Sequence, residues 1–229
     1  MLWRKGWLET RLRLLFAMVI VVAMMVQFSP IGLKAEFGVQ GATQGGLVVA
    51  VLLSILLAGA GVATQPAFQA IKGLHESTFF TLSLPVSRFR LLTVRAGLGW
   101  LEMAGLISVM CSLFWILFPA LRATTSPAEM FSHAVVLTAC ATGFYSTNVL
   151  LASFLEDPWL VPASGMAFGA LWLLFNYAPL PASMNIFRAM SGGSPLVAHT
   201  MPWLAIAFSL GLASITFFAA LKVVRSREY

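Results

Sequence analysis

Six long apolar runs alternate with short polar or basic stretches along the chain, near residues 14–33, 46–65, 97–118, 133–155, 159–180 and 203–224. A helix needs roughly 20 apolar residues to cross a bilayer core of about 30 Å, and each run is close to that length. The pattern therefore predicts an all-α integral membrane protein with six transmembrane helices in a single domain over residues 1–229. The first run follows the basic stretch "WRKGWLETRLR", as a signal peptide would. It continues beyond the usual apolar signal core, and no A-x-A-like site follows, so it is expected to be a retained anchor.

The connections carry less information. "KAEFGVQGATQ" and "PALRATTSPAEMFS" are short, hold one base and one acid each, and are rich in Gly, Ser, Thr and Pro, as solvated turns are. The outer connection at 181–202 is longer; Met184, Phe187 and Met190 recur every three residues, which allows either a short surface helix ended by "SGGSP" or an irregular loop. Before the first run, residues 1–13 place Trp3 and Trp7 among Arg4 and Arg11. Tryptophan rings favour headgroup depth and arginines reach anionic lipid, so an interfacial helix anchored by Trp3, Trp7 and Arg11 is expected there.

Composition narrows the classes. Hydrophobic residues make up 59% of the chain and charged residues 10%, with a mean hydropathy of +0.89. The net charge of +6 does not indicate nucleic acid, because the basic residues sit in short clusters flanking apolar runs instead of along one face. With both termini in the cytoplasm, only Lys34, Arg122 and Arg188 of the 14 basic residues fall outside, a clear positive-inside bias. Acids weigh little in that rule, so "EDP" at 156–158, an inner connection without a base, leaves the orientation unchanged.

Catalytic chemistry is not visible. The sequence contains no P-loop, H-E-x-x-H, G-x-S-x-G or paired-carboxylate motif, and His75, His133 and His199 are too dispersed to suggest a shared metal. Cys111 and Cys140 fit small core residues better than a disulfide or zinc site. The sole acid within a predicted span is Glu102. Arg95 lies two helical turns earlier on the same face, so the two side chains form a candidate intramembrane ion pair; a proton-relay or substrate role for Glu102 is the alternative. Tyr145, Asn148 and Asn176 are candidate path-lining residues, although hydrogen bonds between helices would use the same side chains. "AGAGVA" at 58–63 and Gly165 with Gly169 permit close helix contact.

The main interruption in the pattern is the inner connection at 66–95, "PAFQAIKGLHESTFFTLSLPVSRFRLLTVR". Phe68, Ile71 and Leu74 are spaced for a short amphipathic helix. Pro85 breaks helical geometry, Ser87 is placed to cap a new helix, and Arg88, Arg90 and Arg95 anchor the start of that helix at an anionic surface. The portion "ESTFFTLSLPVSRFRLLTVR" resembles the cytoplasmic loop of ABC-2 type transporter permeases, through Glu76, Ser77, Thr78, Leu84, Pro85, Val86, Ser87, Arg88 and Arg95. Ser77 stands where Gly is common in that family. Six spans, a basic amino-terminal segment and a basic tail extend the likeness over nearly the whole chain.

The resemblance implies a permease subunit, an exporter in the bacterial cytoplasmic membrane, whose translocation path forms with a second permease copy. The subunit would hold no cofactor and would not itself be an enzyme; ATP and Mg would bind separate nucleotide-binding ATPase subunits. The 66–95 loop would supply the coupling helix, with Ile71, Leu74, Glu76, Ser77, Thr78, Pro85, Ser87 and Arg88 as its coupling residues. Among rival readings, a secondary transporter calls for repeat-related halves and a midplane ion site, neither of which is evident. A non-transporting subunit or assembly partner of a larger membrane complex is the principal alternative.

Overall fold

The computed structural model describes residues 14–23, 39–58, 87–155, 159–178 and 180–226, and every regular element among them is helical. A ten-residue apolar helix, α1, covers Leu14–Ala23; the rest of the first predicted span lies outside the described residues. Then follow α2 (Val39–Ala58), α3 (Arg88–Leu117), α4 (Pro119–Thr124), α5 (Pro127–Phe154) and α6 (Leu160–Tyr177). A 3₁₀ turn at Ala182–Met184 leads to the short helices α7 (Ile186–Met190) and α8 (Pro195–Ala198), and α9 (Trp203–Ser226) ends the bundle. Five of these helices, α2, α3, α5, α6 and α9, are long and apolar enough to cross a membrane. An α-helix satisfies its own backbone hydrogen bonds, which is the condition for crossing hydrocarbon.

Helix boundaries follow local chemistry. Ser87 caps α3, its hydroxyl accepting the Arg90 amide at 3.3 Å. Pro119 forces Phe118 out of helical geometry and separates α3 from α4. α5 opens with a capping box: the Ser126 hydroxyl accepts the Glu129 amide at 3.2 Å, and the Glu129 carboxylate accepts the Ser126 amide at 2.8 Å. Pro127 occupies the first turn, where its missing N–H costs nothing.

Two connections expected as solvated turns are largely helical where they are described. α2 begins at Val39, seven residues before the predicted run, because Ala42, Thr43, Gly45 and Gly46 are buried against the bundle despite their low hydropathy. Gly46 shows why: a Cβ there would lie 3.0 Å from Leu137 Cδ1 and 3.4 Å from His133 Nε2. The stretch at 119–132 likewise forms α4 and the first turns of α5.

α5 is the central helix, packed against α9, α2 and α3. Gly46 of α2 meets Leu137 of α5 while Val51 and Ser54 lie across a small gap from Phe144 and Asn148, and Ser209 and Ala213 of α9 meet Gly143 and Ser146, so α2 and α9 lie parallel to α5. α3 runs antiparallel, with Trp100 Nε1 donating to Thr142 Oγ1 at 2.9 Å and the Tyr145 hydroxyl donating to the Ala96 carbonyl at 2.7 Å. The 178–202 connection folds back over the end where α2, α5 and α9 begin, here termed the capped end. There Ile186, Phe187, Ala189 and Met190 of α7 are buried. α6 is the least enclosed long helix, with only Leu160, Ser164 and Phe175 buried.

Candidate functional site

Of the residues expected to carry coupling, Ile71, Leu74, Glu76, Ser77, Thr78 and Pro85 lie outside the described residues, as do the expected anchors Trp3, Trp7 and Arg11. The described part begins at Ser87, the cap of α3, and Arg88 is the first residue of that helix. Arg90 is exposed, whereas Arg95, one and a half turns on, is buried. The first turn of α3 contains no acid. Cations oppose the positive end of a helix dipole, so this terminus favours an anionic surface beside it.

Arg95 and Glu102 are both buried, 6% and 7% exposed, and share the inward face of α3. Between them, Ala96 and Gly99 meet two other helices at once. The Ala96 carbonyl receives the Tyr145 hydroxyl, and a Cβ on Gly99 would fall 2.5 Å from that hydroxyl and 3.0 Å from the Leu57 carbonyl. Backbone thus approaches backbone where α2, α3 and α5 converge. Only glycine fits there without displacing a neighbour.

The three candidate path residues make different contacts. Tyr145 bridges α5 to α3, as above. Asn148 is buried and donates to the Phe144 carbonyl at 3.0 Å within its own helix. Asn176 is exposed near the end of α6, donates to the Trp172 carbonyl at 2.8 Å, and lines a groove of about 900 Å³.

That groove lies at the capped end, between α2, α6 and the 178–192 segment. Asn185 fixes its floor: its Oδ1 accepts the Arg188 amide at 3.0 Å, capping α7, while its Nδ2 donates to the Phe175 carbonyl at 3.2 Å. Phe187 inserts among the aromatic rings of α5 and α6, with centroids 5.2 Å from Phe144, 5.4 Å from Phe168 and 5.9 Å from Phe175. These tilted and edge-on contacts hold α6 to the bundle through α7. The stripe of Met184, Phe187 and Met190 thus faces inward at Phe187 and Met190.

Several structural features were not among the candidates. The seam between α5 and α9 is built from small and hydroxylated residues: Ser146 Oγ donates to the Ala213 carbonyl at 2.7 Å, and Thr216 Oγ1 donates to Ser146 Oγ at 2.8 Å. By contrast, nothing lies within 4 Å of a Cβ placed on Gly165 or Gly169. The capping box at Ser126 was detectable as S-x-x-E in "SPAE". At the same end His199, in left-handed geometry with φ 50°, brings Nδ1 to 2.9 Å from Glu129. Among the described residues no cluster of His, Cys, Asp or Glu could hold a metal.

The chain matches no protein-family model, no curated protein and no solved structure.

Proposed function

We propose that this chain is the permease subunit of an ATP-binding cassette transporter. It would export a substrate across the bacterial cytoplasmic membrane with a second permease copy, driven by separate ATPase subunits that bind ATP and Mg. The observation that carries this reading is the junction at Ser87. There the segment resembling an ABC-2 coupling loop reaches a side-chain cap, and its remaining residues form the first turns of α3, a helix of 30 residues.

A helix of that length is a rod of about 45 Å. A push on the loop would travel along α3 to the crowded junction at Ala96 and Gly99, where Tyr145 and Leu57 transmit it to α5 and α2. Close-packed contacts respond to such a displacement by shifting together, since they have no slack to absorb it. Energy from a separate ATPase could enter through this contact.

The test begins with co-purification from native membranes to identify an associated ATPase. Glu76→Gln, Pro85→Ala and Arg88→Gln are then introduced one at a time. Each variant is expected to insert normally while stimulation of the partner's ATPase falls several-fold. Unchanged coupled transport in all three would refute the reading, and a complex lacking any ATPase would favour a non-transporting subunit.

A further inference from the structure

We propose that the groove at the capped end binds an acidic phospholipid, with its phosphate at Arg188 and an acyl chain along α6. The groove is open along one side and has a volume of about 900 Å³, room for part of a lipid whose remainder stays in the bilayer. Its walls are apolar on two sides, with Val48 on α2 facing Phe168 and Trp172 on α6. Trp172, Leu173 and Leu174 are themselves 44 to 52% exposed, so the α6 wall is continuous with a surface suited to lipid. Gly169 lies open to this space, with nothing within 4 Å of a Cβ built on it, and leaves a smooth track for a hydrocarbon chain.

The polar end has the complementary chemistry. Among the described residues that line the groove, Arg188 is the one cation and none is an acid. The Arg188 guanidinium is exposed and makes no hydrogen bond or ion pair among the described residues. Gln44, also exposed, offers its amide from the opposite wall. A guanidinium recognises phosphate through paired, charge-assisted hydrogen bonds, and one held at the end of an apolar groove meets a lipid head and tail together. α7 holds the backbone of Arg188 in place because Asn185 and Phe187, both just before it in the chain, are fixed by the contacts to α6.

This inference depends on membrane insertion and not on coupling to an ATPase, so either proposal can fail alone. The full chain is placed in nanodiscs of phosphatidylglycerol mixed equally with phosphatidylcholine, and retained lipids are read by native mass spectrometry. Wild type is expected to retain phosphatidylglycerol about tenfold over phosphatidylcholine, because both present a phosphate to Arg188 but the choline cation offsets that attraction. Arg188→Gln should abolish the preference, Arg188→Lys should keep part of it, and Gly169→Trp should expel both lipids by filling the track. Protection of the buried Cys111 and Cys140 from a thiol dye confirms that each variant is folded. An undiminished preference in Arg188→Gln overturns the proposal. So does competition by glycerol phosphate equal to that of the lipid, which assigns the site to a free anion, or a lipid-free groove covered by a second copy of the chain.

Discussion

Ser209 of α9 and Gly143 of α5 are in direct contact: the Ser209 hydroxyl oxygen accepts the Gly143 amide at 3.1 Å and lies 2.9 and 2.8 Å from the carbonyls of Ala139 and Cys140. A Cβ on Gly143 would approach that oxygen to 2.8 Å and the Ser209 carbonyl to 3.2 Å. Gly143→Ala is therefore expected to force the helices apart and destabilise the protein by about 1 to 3 kcal/mol. Ser209→Ala preserves the approach and loses only the interhelical bonds, costing about 0.6 kcal/mol. Thermal unfolding in detergent, followed through dye labelling of Cys111 and Cys140, measures both. Equal stability of Gly143→Ala and wild type would contradict the close approach.

Phe187 joins α6 to the rest of the bundle, since its ring meets Phe144, Phe168 and Phe175. Phe187→Ala removes three ring contacts from a position only 6% exposed and should cost about 3 kcal/mol or more. Phe187→Leu, which retains most of the volume, should cost less. Limited proteolysis near 178–202 should accelerate in the alanine variant before the bundle as a whole unfolds. Equal cleavage of wild type and Phe187→Ala would show that other contacts hold α6.

His133 is 1% exposed, and neither ring nitrogen has a hydrogen-bond partner among the described residues. Burying such a group without a partner costs about 1 to 3 kcal/mol in mutational data. His133→Leu, apolar and of similar volume, is expected to raise the unfolding temperature, whereas His133→Ala should lower it by leaving a cavity beside Gly46. A lower temperature for the leucine variant would indicate that a bound water or neighbouring group serves the ring.

The helical architecture was legible in the sequence because spans are set by composition over a window. The cap at Ser87 was legible for a related reason, since a cap depends on residues within one turn. Val39 to Gln44 read as part of a solvated turn because glycine and threonine have low hydropathy; they are helical because small residues let α2 approach α5 at Gly46. Gly165 and Gly169 illustrate the converse. Their spacing suits close contact, yet neither has a neighbour within 4 Å, while Gly143 and Gly99 lie at crowded junctions without a conspicuous motif.

The sequence by itself determined that this chain is helical and apolar enough to lie in a membrane, because hydrocarbon leaves a backbone no alternative but to satisfy its own polar groups. It could not determine which face of each helix turns inward. In water, the alternation of polar and apolar residues marks the buried face; in a bilayer both faces are apolar, and the choice falls to shape and a few hydroxyls. Only the tertiary structure set Ser209 against Gly143, Tyr145 against Ala96, and Arg188 at the end of an apolar groove. Each pairing depends on residues distant in sequence fitting together in three dimensions.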